Sequence, residues 1–136
     1  MKDSLQPGLD ITVRITVDAD RTIGFMGDDF RVYATPSMVL DIERTCKELL
    51  DEHLDDGENS VGARVEIDHL GATLLDMWVD VHAQVAEIDR RRVLFDVEVH
   101  DQLGDKVGVC QHTRFVVDLA KQKERLDAKR ARLTGD

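Results

Sequence analysis

TPSMVLDIERTCKELLDEHL, residues 35–54, has apolar residues recurring with helical period, and its reading decides what the rest of the chain must do. Thr35 offers a hydroxyl that can accept from an orphan amide as N-cap, and Pro36 suits the first helical position, where its missing N–H costs nothing. At about 100° per residue, Val39, Ile42, Cys46, Leu49, Leu50 and His53 share one stripe, while Asp41, Arg44, Glu48, Asp51 and Glu52 face away. Glu43 falls on the margin of the stripe, beside Val39, Cys46 and Leu50. A carboxylate there is partly desolvated and needs either a partner or its proton. Lys47, four residues on, is the plain helix-surface partner. The loop LDDGENS (54–60) ends the helix.

Upstream, ITVRITV (11–17) alternates Ile11, Val13, Ile15 and Val17 with polar residues, the period of a strand with one buried face. Residues 20–34 mix glycines, acids and large apolar side chains without a period, and read as a lid or loop. Downstream come VGARVEIDH (61–69), then a long strand over 75–88 with Leu75, Met77, Val79, Val81, Ala83 and Val85 on one face. Asp89–Arg91 turns into VLFDVEVH (93–100), and Gln102–Asp105 turns into KVGVCQHTRFVVDL (106–119). The tail, 120–136, carries six Lys or Arg against three acids and reads as a helix or a frayed end. The fold class is therefore α+β: a five-stranded antiparallel sheet whose apolar face must be covered by the one apolar-striped helix. Open edge strands favour pairing with a second copy, so a homodimer is expected, or a higher oligomer built from it.

Bulk properties narrow the function. A chain of 136 residues supports one domain with one core, spanning residues 1–136. With 42% hydrophobic and 34% charged residues it belongs with soluble globular chains, and no run approaches the length of a membrane span. No secretory leader is visible at the start, so a cytoplasmic location is expected. A formal charge of −10 repels nucleic-acid backbones and anionic membranes. Cys46 and Cys110 sit inside periodic segments and read as inert packing. No spacing of Cys or His suits a metal, and no phosphate loop or GxSxG elbow is present.

The remaining chemistry rests on few residues. His69 closes its strand beside a bend at Gly71, where an imidazole can face a cleft or simply stand in water. His53, His82, His100 and His112 have no assigned role. Asp89-Arg90-Arg91-Arg92 puts three guanidiniums at a hairpin tip, able to grip phosphates or to serve solubility. Thr35 and Glu43 are eight residues apart, about 12 Å of helix rise, so they cooperate only across a substrate or a second subunit.

Three stretches, YATPSMVLDIERTC, VGARVEIDHLGAT, and the pair RRRVLFDVEVHD with QHTRFVVDLAK, carry a family likeness in order and spacing as well as residue type. Over residues 8–126 the sequence resembles the fluoroacetyl-CoA thioesterase branch of the hotdog-fold acyl-CoA thioesterases. The resemblance implies a hotdog fold and hydrolysis of an acyl-CoA at a dimer-interface cleft, without metal or redox cofactor. It matches the active-site threonine, glutamate and histidine to Thr35, Glu43 and His69, and places Gly62 near the acyl group. The substrate-binding candidates beside Gly62 are Phe30 and Tyr33 from the lid and Arg90 and Arg91 from the hairpin. Three departures stand out: Pro36 replaces the usual glycine after the threonine, the bend reads ATLLD (72–76) where ATP with a glycine soon after is usual, and the lid GFMGDDFRVY holds only Phe25 and Phe30 before Tyr33. A general short or medium acyl group is therefore expected, with fluoroacetyl selectivity not carried over. The rival readings are a noncatalytic hotdog protein binding an acyl-CoA or other small hydrophobic ligand, and a hotdog hydratase.

Overall fold

The computed structural model describes residues 1–135. Strand β1 (Asp10–Thr16) is followed by two short 3-10 turns (Ala19–Arg21 and Asp28–Phe30), helix α1 (Thr35–Asp51), strands β2 (Glu58–His69), β3 (Trp78–Asp89), β4 (Arg92–Asp101) and β5 (Lys106–Asp118), and helix α2 (Leu119–Leu133). All strand pairs are antiparallel, in the order β1-β3-β4-β5-β2. The sheet curls around α1, as expected of a hotdog, and leaves β1 and β2 as its edges.

Pleating explains the two faces. One row across the sheet reads Ile11, Ala83, Val97, Cys110, Ile67, and the neighbouring row reads Asp10, Gln84, Asp96, Gln111, Glu66. The apolar row turns to α1 and the polar row to solvent, because side chains alternate along every strand. Met38, Ile42, Cys46, Leu49 and Leu50 of α1 pack on Val79, Val81, Val85, Phe95 and Val99. At Gly108 an added Cβ would lie 2.6 Å from Met38 Sδ, so a bare backbone is what lets the helix approach β5.

Several sequence expectations are corrected. The buried side of α1 is rotated toward Met38, Asp41 and Thr45, leaving Val39 and His53 only half-buried. Asp41, expected in water, is 3% exposed because the incoming loop supplies Arg21 and Tyr33 as partners. Ala34, not Thr35, is the N-cap, and Thr35 opens the helix ahead of Pro36. The helix stops at Asp51 rather than at residue 54, capped through Glu52. Strand β3 starts at Trp78 rather than Leu75, because Leu74–Met77 closes a turn with Asp76 at φ 73°. The lid segment 20–34 is tied down by the bridges Thr22–Tyr33 and Val32–Leu74. The basic tail is helical, with Asp118 accepting from the Lys121 amide and no buried residue along α2. Among the described residues no helix is long and apolar enough to cross a membrane.

Candidate active site

The first turn of α1 and the last residue of β2 meet. Thr35 Oγ1 and His69 Nδ1 are 2.7 Å apart, a direct hydrogen bond between residues 34 apart in sequence. They meet because α1 and β2 are joined by a short loop and run back along each other, bringing the strand's end to the helix's start. The two side chains stand at the rim of a cleft of about 460 Å³ lined by Phe25, Met26, Phe30, Tyr33, Leu70 and Gly71, among others. Phe30 is 61% exposed and Phe25 80%, so the lid offers its aromatics to the cleft. Amides at the start of α1 carry the positive end of the helix dipole toward the same place.

Tyr33 stands differently from the other lid aromatics. Its ring meets the His69 ring edge-on, with centroids 6.4 Å apart, while its hydroxyl donates to Asp41 Oδ2 at 2.5 Å. Arg21 completes the group, donating from Nε to Asp41 Oδ2 at 2.9 Å and from Nη2 to Oδ1 at 3.2 Å. Burial, and then the Asp41 bond, push the Tyr33 phenol far above its ordinary value, so it stays protonated and serves as a fixed donor. The ring borders the cleft; the polar end belongs to the fold.

Glu43 lies further along α1. Its side chain is 37% exposed and faces Arg114 Nη1 from 3.9 Å, while Lys47 pairs with Asp51 at 2.6 Å instead. Gly62 sits opposite: a Cβ there would be 3.0 Å from Glu43 Oε2, 3.3 Å from His112 Cε1 and 3.4 Å from Arg114 Nη1. A β-bulge between Gly62 and Arg64 turns the edge strand at this point. Within one chain Glu43 and the Thr35–His69 pair therefore lie apart along β2, with Gly62 and His69 seven residues, roughly 23 Å of strand, from each other. Arg90 and Arg91 are farther away still. They form the β3–β4 turn, with Arg90 at φ 57°, and Arg91 pairs with Glu58 at the start of β2, 3.3 Å away.

His112 and Arg114 escaped the sequence reading. Both point inward from β5, in line with Cys110 and Val116. A histidine and an arginine spaced by two on a strand whose other inward residues are apolar was the available signal. Arg114 Nη1 donates to His112 Nε2 at 3.1 Å, which leaves Nδ1–H of the imidazole to donate to Arg64 O at 2.8 Å. The ring is thus neutral and fixed in one tautomer. Burial pulls the His112 pKa down, and Arg114 adds to this, against the Arg64 carbonyl bond and Glu43, which raise it. Because the folded pKa lies below the unfolded value of about 6.5, the unfolded chain binds the proton more readily as pH falls. The contribution of neutral His112 is complete above about pH 6.5 and is lost below it. Melting temperature is expected to fall between pH 7.5 and 5.5 (about one unit either side of that value), and less steeply in His112→Gln; equal slopes in differential scanning fluorimetry would refute the assignment.

The cysteines are packing groups. Both are buried; burial pushes the Cys46 thiol far up and the Cys110 thiol to about 11. Among the described residues no cluster of His, Cys, Asp or Glu has metal-binding geometry.

An antiparallel five-stranded sheet packed around one helix is the hotdog arrangement, shared with solved hotdog-like neighbours. The fluoroacetyl-CoA-specific thioesterase family model matches residues 17–120. The chain belongs to this family and is by class a thioester hydrolase. It is 30% identical over 128 residues to the fluoroacetyl-CoA thioesterase of Streptantibioticus cattleyicolor, covering 89% of this chain and 91% of that one. Among solved structures, a thioesterase superfamily member from Thermus thermophilus is 27% identical with a TM-score of 0.90, covering 98% of this chain and 99% of that one. A mutant of the fluoroacetyl-CoA thioesterase, solved in complex with acetyl-CoA, is 26% identical with a TM-score of 0.82, covering 92% of this chain and 98% of that one.

Proposed function

We propose that this protein hydrolyses the thioester of a short or medium acyl-CoA in a cleft shared by two copies of the chain. The observation that carries this reading is the 2.7 Å contact between Thr35 and His69 at the mouth of an apolar cleft beside a helix N-terminus. An oxygen nucleophile adds to the thioester carbonyl, the oxyanion is held by Thr35 and the α1 amides, and collapse breaks the C–S bond. The departing thiolate then takes a proton, for which His69 is in reach. Glu43 supplies either the attacking oxygen or the base that activates water. The acetyl-CoA complex of the fluoroacetyl-CoA thioesterase mutant supports the substrate class. The chemistry asks for no metal or redox group.

Glu43 reaches the cleft only through a partner. The midpoint of Gly62 and His69 falls between Val65 and Glu66 on β2, whose outer edge is unpaired and carries Val61 and half-buried Val65 and Ile67. Antiparallel pairing of β2 with its copy about that midpoint would bring the partner's Glu43 beside His69 and Thr35. The same rotation would carry the partner's Arg90 and Arg91 toward the cleft mouth, where CoA phosphates need cations. Phe30, and the ring of Tyr33, would then border the acyl chain with Gly62 of the partner subunit.

Thiol release from a panel of acyl-CoAs, followed with a thiol-reactive dye, tests the reading. Turnover with short or medium chains is expected. Thermal stabilisation by acyl-CoA with no thiol release would mark a noncatalytic binder and end the proposal.

A further inference from the structure

Helix α2 is the part of the chain whose chemistry the cleft does not use. It holds six Lys or Arg against two acids in 15 residues, on a chain whose formal charge is −10. None of its residues is buried. A helix of this length is marginal in water by itself, so an unpacked one gains from a surface to lie on. Leu119, Leu126 and Leu133 recur every seven residues, fall within about 40° of one another, and are all exposed. Lys123 and Arg130 border this line on one side, and Arg125, Lys129 and Arg132 on the other. Asp127 engages Lys123 at 2.5 Å and Arg130 at 2.6 Å, while Arg125, Lys129 and Arg132 have no acid partner among the described residues. Two α2 helices cannot pair along their leucines, because either orientation sets cations opposite cations.

A surface of the opposite kind crosses the outer face of the sheet. A groove of about 560 Å³ runs over β2, β5, β4 and β3, with the carboxylates of Glu66, Asp68, Asp96 and Glu98 around Val109. Among the described residues Asp68 and Asp96 pair with no cation, and Glu98 has Lys106 at 3.3 Å and His100 at 4.0 Å. The helix does not reach this groove in its own chain. β5 ends at Asp118 and α2 begins at Leu119, so no residue is left to turn the helix back over the sheet it has just left. The groove within its reach belongs to another copy.

We propose that α2 docks across the acidic groove of a second copy of this chain, with its leucines over Val109 and its flanking cations on the carboxylates of the rims. The dimensions agree. Leu126 and Leu133 are about 10 Å apart along the helix axis, within the roughly 14 Å that four neighbouring strands span. Exposed ion pairs are individually weak, so one seat holds little. Reciprocal exchange, each copy lending its helix to the other, makes two seats and closes on a two-fold axis, whereas one-way docking would run on into a chain of copies. The contact uses neither the β2 edge nor the cleft, and it stands whether or not the thioesterase reading does.

Sedimentation velocity on the full-length protein tests this. At about 0.15 M salt the screening length is about 8 Å, so charges in contact still act while more distant ones are damped. A species of doubled mass is expected to grow with protein concentration and to be lost near 1 M salt, where screening falls to about 3 Å. Arg125→Glu with Arg132→Glu reverses the helix, and Asp96→Lys with Glu98→Lys reverses the groove on β4, away from the β2 edge. All four side chains are exposed, so both variants should melt like the parent. Each alone should stay at half the mass of the parental assembly. An equimolar mixture should recover the full mass, because the reversed helix then meets the reversed groove and the parental helix the parental groove. No doubling in the parent, parental association in either variant, or a mixture that fails to recover overturns the proposal. If a reversal fails to fold, Leu126→Ser decides: parental association overturns it, and halved mass supports it. Full-length protein that shows no doubling but sediments with phosphatidylserine vesicles makes a lipid surface the occupant of α2 and overturns it as well.

Discussion

Glu43→Gln is expected to lower kcat for thioester hydrolysis by about 10²- to 10⁴-fold, the range for losing a positioned acid, base or nucleophile. Glutamine keeps the shape and removes the charge. Because the side chain is 37% exposed and its one ion pair is 3.9 Å long, stability should move by less than about 0.5 kcal/mol. His69→Ala should produce a loss of similar size, and the double variant should be little worse than either, since groups acting on one transition state are not additive. The measurement is kcat and KM by thiol release alongside the melting temperature. A variant that turns over at the parental rate removes that residue from the mechanism. The same assay run once through in oxygen-18 water separates the two roles for Glu43. Direct attack forms an acyl anhydride on Glu43; where water opens it at the Glu43 carbonyl, label enters the Glu43 side chain and not the first-turnover product, a pattern that activated water does not give.

That Glu43 and the Thr35–His69 pair lie apart in one chain explains how much was legible beforehand. Helical period, strand alternation and turn residues give the sheet and the helix, because those signals depend on neighbours in sequence. Thr35, Glu43 and His69 stood out singly as a cap, a margin carboxylate and a strand-end imidazole, but only the family likeness grouped them as a candidate site. No local pattern tells that residue 69 bonds to residue 35. The buried group around Asp41 was misread for a related reason. Amphipathic period assigns a charged residue to solvent, and it cannot know that Arg21 and Tyr33 will arrive from the loop to satisfy it. His112 and Arg114 are the converse: their inward alternation on β5 was visible, but what makes them more than an anomaly is the bulge at Gly62 on a strand nearly fifty residues earlier. Helix ends were off by a few residues because capping was decided by Ala34 and Glu52, whose side chains carry no cap signal.

Asp41→Ala should be the most destabilising single change near the site. The carboxylate is 4% exposed and accepts three hydrogen bonds, one from the Tyr33 hydroxyl and two from Arg21. Truncation strands a buried phenol and a guanidinium, and removing one member of a buried pair costs about 3–5 kcal/mol. Arg21 is 26% exposed and can turn to water, which discounts the loss to about 2–4 kcal/mol. For a chain of this size that is a fall in Tm of roughly 6–16 °C, at about 3–4 °C per kcal/mol. Asp41→Asn, which still accepts from Tyr33, should lose less. Arg21→Met should cost more than a surface change, because Asp41 stays charged with only the phenol as partner. The pair Asp41→Ala with Arg21→Met should fall short of the sum, since each removes the other's orphan. Function should follow stability here. Tyr33 packs against His69, and Arg21 ties the lid to α1, so the surviving folded fraction should show a raised KM as the cleft loosens. Thermal melts of the four proteins give the cycle directly, and an Asp41→Ala variant melting within about 2 °C of the parent would show that the triad contributes little to either.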